Sequence, residues 1–228
     1  MKRTALSELG RRSQAPPVSW LMEIALTRPR LISLAAGFTD SESLPVLETR
    51  ELLDALLRRR QSGRAALQYG TTAGDPVLRQ LTAQRVRLLD GAPASHNEYA
   101  PERMIITNGS QQMLYMVTEV LCDPGDIVLV EDPSYFVFLG ILQSHGVRAR
   151  GVRMEPDGLD LTRLEAVLES LKRSGELRRV KMLYLVRAAH QRQSRLRLVE
   201  LLAAVAGASA LLGALSEAPG GAANALCA

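Results

Sequence analysis

The sequence predicts an α/β fold, a mainly parallel sheet with flanking helices, and three observations carry that prediction. From Glu102 onward, short apolar runs alternate with segments whose apolar residues recur every three to four positions. One run, Ile127-Val128-Leu129-Val130, has no polar interruption, as a strand buried on both faces requires. Two runs end directly in polar turns, at Asn108 and at Asp132, and ligands of such sheets sit outside the carboxyl ends of the strands.

The elements follow in order. Residues 1–30 read as a polar, Arg-rich arm closed by Pro16-Pro17, then a short helix over 18–27 with Trp20, Leu21, Ile24 and Ala25 at helical spacing. Leu31 to Phe38 is a strand-like run that turns at Gly37. Residues 48–60 predict a helix with Leu52, Leu56 and Leu57 on one side and arginines on the other. The Gly- and Pro-marked stretch 68–76 is a loop, in which Asp75 can cap a helix that has Pro76 at its first position. Residues 104–107 predict a strand, 112–121 a helix, 127–130 a strand and 136–145 a helix closed by Gly146. A strand over 147–152, a helix over 161–171 and a strand over 180–186 complete the alternation. Beyond Val186 no further strand-turn unit is legible. Residues 187–228 carry no aromatic, no Lys and no Asp, and are dominated by Ala, Leu, Gly, Ser and Arg.

The turn Thr107-Asn108-Gly109-Ser110-Gln111-Gln112 is the most informative stretch. A strand that turns straight into a helix presents free N–H groups and the positive end of the helix dipole, which together stabilise an anion such as a phosphate. A plain strand-to-helix turn would look the same in sequence. Composition narrows the classes around it. A formal net charge of +4 over 228 residues, without a concentrated basic stripe, points away from nucleic acid. The longest apolar run, 196–215, is broken by Glu200 and two glycines and is rich in Ala, so no membrane span is expected. No apolar signal segment follows the basic N-terminus, and Cys122 and Cys227 have neither pairing nor metal-ligand spacing, so a reducing, cytoplasmic setting is expected. The histidines, His96, His145 and His190, form no constellation with Ser or Cys and read as surface or loop residues.

Several motifs in order carry a family resemblance: Leu31-Ile32-Ser33-Leu34-Ala35-Ala36-Gly37-Phe38, Leu67-Gln68-Tyr69-Gly70 with Gly74, the turn at 107–112, Pro124-Gly125-Asp126 and Glu131-Asp132-Pro133-Ser134-Tyr135. Together they resemble the fold-type I pyridoxal-phosphate aminotransferases, in the branch of the 2-aminoadipate and aromatic aminotransferases and of the aminotransferase domains of GntR-type regulators. Residues 31–186 would then be an incomplete aminotransferase large domain. The resemblance implies pyridoxal 5'-phosphate as cofactor, an amino acid and a 2-oxo acid as substrates, and a homodimer. It implies that Gly109, Ser110 and Gln111 bind the cofactor phosphate and that Tyr135 stacks on the pyridine ring. It implies that Tyr69 reaches the phosphate of the neighbouring subunit, and that Gly37 lies beside the substrate carboxylate. Tyr69 as an ordinary loop aromatic and Gly37 as a plain turn glycine would look identical in sequence.

The departures from the family matter more. Its chemistry needs a lysine that holds the cofactor covalently and moves the substrate's α-proton, with an acid at the ring nitrogen. Both belong after the strand matching 180–186, where the family's Asn-Pro-x-Gly segment is replaced by Arg187-Ala188-Ala189-His190. The lysines here are Lys2, Lys172 and Lys181, none at the expected place, so no catalytic residue is assigned. The first expectation is a truncated aminotransferase, inactive as written, whose divergent tail at 187–228 has the composition of GC-rich DNA translated in a disrupted frame. The alternative is a non-catalytic, cofactor-binding or dimerising module that associates with an intact paralogue. A DNA-binding regulator ranks third, because no winged-helix part accompanies the domain.

Overall fold

A six-residue strand, β1 (Ile127–Asp132), occupies the centre of the molecule, and its first four side chains are 0–3% exposed. The computed structural model describes residues 5–14, 17–28, 30–32, 39–93, 97–155 and 158–186. Residues 33–38 of the strand-like run that turns at Gly37, together with His96, His190 and the tail at 187–228, lie outside the described residues. Successive side chains of a strand point to opposite faces, and β1 shows why its run is uninterrupted. Ile127 and Leu129 pack against Leu164, Leu168 and Leu171 on one face, while Val128 and Val130 pack against Leu114, Phe138 and Leu142 on the other.

The sheet has four strands in the order β3-β2-β1-β4. Both neighbours of β1, namely β2 (Arg148–Glu155) and β4 (Val180–Tyr184), run parallel to it, and the two-residue β3 (Gly158–Leu159) closes the β2 edge antiparallel. Helix α8 (Leu161–Arg173) covers one face, and α6 (Gly109–Leu121) with α7 (Phe136–His145) covers the other. The mixed α/β fold with a mostly parallel sheet is therefore the one the alternating pattern predicts. Asp160 accepts the N–H of Arg163 at 2.9 Å and caps α8. Burial raises the Cys122 thiol above its ordinary pKa, and the Asp126 carboxylate adds to the shift, which leaves this cysteine a packing residue rather than a nucleophile.

Residues upstream of the sheet differ from expectation in three ways. The supposed arm contains a one-turn helix, α1 (Glu8–Arg12), capped by Ser7; its Arg12 guanidinium rests against Gly146, which closes α7. The single helix expected over 48–60 is two, α3 (Val46–Arg58) and α4 (Arg60–Ala66), broken where Arg59 turns extended (φ −96°, ψ 123°). The strand expected at 104–107 is extended chain without a ladder: among the described residues its Ile106 N–H bonds only the carbonyl of Ala73, at 2.9 Å. A strand exists only by virtue of a neighbour, and among the described residues no neighbouring strand reaches this segment. Gly74 makes the approach feasible, since at φ +97° a Cβ would stand 2.6 Å from that of Ile106.

The other upstream helices form as expected. They are α2 (Pro17–Thr27) and α5 (Pro76–Leu89), the latter capped by Asp75 through a 2.8 Å bond from Leu78 N–H. Their apolar residues nevertheless face outward. Trp20 and Leu26 on α2, Leu47 and Leu52 on α3, and Leu88 and Leu89 on α5 are all more than half exposed. Amphipathic periodicity correctly marked the helices, but here it does not mark burial against their own chain.

Candidate functional site

Two elements meet at the carboxyl end of β1. The chain leaves the strand through Asp132, Pro133, Ser134 and Tyr135 and enters α7. Beside it lies the amino end of α6, where Asn108 holds a non-helical conformation but makes no side-chain capping bond. The N–H groups of the first helical turn have no acceptor within the helix, so those of Ser110 and Gln111 are left directed outward. Gly109 sets this geometry. At φ +81° it takes the left-handed conformation that side chains resist, and a Cβ there would meet nothing within 4 Å. The side chain of Gln112 turns back to accept the Asn108 N–H at 2.5 Å, and Thr107 Oγ1 donates to the Gly109 carbonyl at 3.1 Å, which fix the turn from both sides.

The two arms touch. Gln111 Nε2 donates to the Tyr135 hydroxyl at 3.5 Å, across 24 residues of sequence. Of the six residues that the resemblance implies, the structure therefore gathers Gly109, Ser110, Gln111 and Tyr135 into one place. It does not gather Tyr69. That side chain is 99% exposed on the loop before Asp75, so in its own chain it packs on nothing. Gly37 lies outside the described residues.

Sequence reasoning missed two groups here. The Ser134 hydroxyl, between Pro133 and Tyr135, is buried and has no hydrogen-bond partner among the described residues, a position only the folded turn reveals. Glu131 is 7% exposed, and its carboxylate accepts one bond, from Val186 N–H at 3.1 Å. That bond ties the chain leaving β4 to the carboxyl end of β1. Burial raises the Glu131 pKa above the ordinary 4.5, only partly offset by the Val186 N–H. A carboxyl whose folded pKa is raised favours the folded state fully below its unfolded pKa, and that advantage is lost as pH rises through the folded value. Glu131→Gln keeps an oxygen for Val186 and removes the buried charge. Urea unfolding should therefore show the variant more stable than the parent at pH 8 and equal to it at pH 4; equal stability at both pH values would refute a buried charge at Glu131.

The lysines sit elsewhere. Lys181 Nζ pairs with Asp126 at 3.6 Å, at the amino end of β1, and Lys172 Nζ pairs with Glu169 at 3.7 Å on the outside of α8. Six strand residues span about 20 Å, so the sheet's length separates Lys181 from Tyr135. Lys2 is outside the described residues. His145 corrects the surface reading: it is 8% exposed, its Nδ1 bonds the Ile141 carbonyl at 2.9 Å, and it lies edge-on to Tyr115. It closes the far end of α7 from Tyr135 and has no part in this site. Among the described residues no group of three or more His, Cys, Asp or Glu could hold a metal, and no helix is long and apolar enough to cross a membrane.

Comparison with known proteins places this geometry in a family. Residues 29–188 match the family described as aminotransferase class I and II. The chain is 34% identical over 158 residues to the 2-aminoadipate transaminase of Thermus thermophilus, an alignment covering 69% of this chain and 36% of that protein. It is 31% identical over 156 residues to aromatic-amino-acid aminotransferase 1 of Thermococcus litoralis, covering 68% and 35%. Among solved structures it is similar to the kynurenine aminotransferase of Pyrococcus horikoshii, with a TM-score of 0.75 at 27% identity over 88% of this chain and 49% of that one. The match thus spans about a third of the curated relatives' length and about half of the solved chain. With the turn, the sheet end and the matching stretch in agreement, the chain belongs to the family of class I and II aminotransferases.

Proposed function

We propose that these residues are the amino-terminal part of a pyridoxal-phosphate aminotransferase, keeping the phosphate-and-ring half of the cofactor pocket without the means to transfer an amino group. The contact between Gln111 and Tyr135 beside the uncapped start of α6 carries this reading, because it joins an anion site to a flat aromatic surface. The residues present fit pyridoxal 5'-phosphate. The N–H groups of Ser110 and Gln111 and the Gln111 amide would hold the phosphate, with Gly109 leaving room for it. The Tyr135 ring would lie against the pyridine. The buried Ser134 hydroxyl, which has no hydrogen-bond partner among the described residues, would donate to the ligand. Tyr69, exposed as it is, suits a role toward a second subunit, and Gly37 one beside a substrate carboxylate.

When bound, the cofactor supplies the electron-withdrawing ring that lets an amino acid lose its α-proton and exchange its nitrogen with a 2-oxo acid. Among the described residues no lysine lies near the turn. Lys172 and Lys181 are committed to Glu169 and Asp126, away from the turn. The purified protein, which we place in a reducing, cytoplasmic setting, tests the reading. We expect saturable binding of pyridoxal phosphate, weakened several-fold in Ser134→Ala, and no conversion of an amino acid to its 2-oxo acid. Measurable amino transfer would overturn the inactive assignment, and wild-type affinity in Ser134→Ala would remove Ser134 from the site.

The exposed apolar faces of α2, α3 and α5 and the exposed Tyr69 favour a second reading, a non-catalytic module that dimerises. It requires a discrete dimer by light scattering; a monodisperse monomer would exclude it.

A further inference from the structure

We propose that Glu131 is a clasp that holds the outgoing end of β4 against β1 at low pH and releases it as the pH rises, so that the carboxyl end of the sheet opens locally without unfolding. The inference needs no bound ligand and stands apart from the pocket assignment above. The ladder between β1 and β4 ends where Val130 pairs with Tyr184. Two residues later the Val186 N–H donates to the Glu131 carboxylate at 3.1 Å, so a side chain takes over where backbone pairing stops. Alternation along β1 puts Glu131 on the face of Ile127 and Leu129. That face is apolar: its cluster includes Val152 and Leu164, with Leu183 and Leu185 packed against it. A carboxylate has room for about four hydrogen bonds. Among the described residues this one, 7% exposed, accepts only the bond from Val186.

No cation offsets its charge. The charged groups on the neighbouring stretches are Asp132, Arg150 and Arg153 of β2, and Asp160, Arg163 and Glu165 at the start of α8. Alternation turns Asp132 and its register partner Arg153 to the opposite face. Lys181 of β4 is paired with Asp126 at the other end of the sheet. Burial therefore governs Glu131 and raises its pKa, and the Val186 N–H opposes that only in part. Ionisation in the closed arrangement leaves a charge with most of its acceptor sites unmet, and detaching Leu185 and Val186 lets water reach it. The closed form is favoured fully below the ordinary value of 4.5 and loses that advantage as the pH rises through the raised value.

Backbone amide exchange of the full 228-residue protein tests this, followed residue by residue by NMR from about pH 4.5 to about pH 8 and corrected for the intrinsic pH dependence of exchange. Protection of the Val186 amide should fall by at least about 3-fold across that range, while the amides of Val128 to Val130 keep theirs. Glu131→Gln should hold Val186 equally at every pH. Glu131→Leu, which suits the apolar surroundings but accepts no hydrogen bond, should leave Val186 unprotected throughout. A Val186 amide equally protected at both ends of the range in the parent protein would overturn the inference. So would an equal fall in Glu131→Gln, which would assign the titration to another group. A parallel loss at Val128 to Val130 would also overturn it, because the sheet would then be unfolding as a whole. Protection retained in Glu131→Leu would remove the side chain from the contact.

Discussion

Phe138→Ala should destabilise the protein by about 3–5 kcal/mol, the cost of removing a buried aromatic ring and leaving its cavity. Phe138 is 1% exposed, and its ring lies 4.3 Å from that of Tyr184, tilted by 43°. It shares one cluster with Leu114 of α6, Val128 and Val130 of β1, and Leu142 of α7. That cluster joins the two helices bearing the site to the sheet beneath them. Domains are stable by only about 5–15 kcal/mol, and the outward-facing leucines of α3 and α5 add little burial to this chain's total. The loss should therefore leave a large unfolded fraction at 25 °C, read by urea unfolding monitored by circular dichroism. Phe138→Leu, which keeps most of the volume, should lose about 1–1.5 kcal/mol. A cost below 1 kcal/mol for the alanine variant would mean that this cluster does not hold α6 and α7 in place.

The same cluster shows what the sequence could and could not disclose. Burial on both faces left Ile127-Val128-Leu129-Val130 without any alternation, so the central strand was legible directly. Asp75 before Pro76 was legible because capping is local chemistry. Long-range outcomes were not. The segment 104–107 has the composition of a strand, but its status depends on a neighbour that composition cannot name. His145 looked like a surface residue because its burial comes from Tyr115, contributed by another helix. The outward leucines of α3 are a related case, since periodicity reports which residues share a side and not what covers it. In the site, the turn at 107–112 was legible from the residues themselves as an anion-binding helix start, whereas Tyr135 was legible only through the resemblance to a family. Their contact at 3.5 Å, the unpartnered Ser134 hydroxyl and the Glu131–Val186 bond needed coordinates.

Gly109→Val should abolish ligand binding while costing the folded protein comparatively little. The glycine sits at φ +81°, and forcing a β-branched residue into that region costs about 1–3 kcal/mol in backbone strain. Strain alone does not account for the expected loss of affinity. Nothing among the described residues lies within 4 Å of a Cβ built at Gly109, so that Cβ enters open space beside the turn, where a valine side chain should compete with a ligand for the Ser110 and Gln111 N–H groups. Affinity for pyridoxal phosphate should fall by about 100-fold or more, the loss of at least one charge-assisted contact together with steric exclusion. Gly91 supplies the control. It has φ +64° and equally open surroundings, but follows α5, so Gly91→Val imposes the same kind of strain away from the turn. Both variants should lose similar stability in urea, and only the substitution at Gly109 should lose the ligand. Equal retention of binding by the two would show that the phosphate does not approach through the start of α6, and the assignment of Ser110 and Gln111 would fail with it.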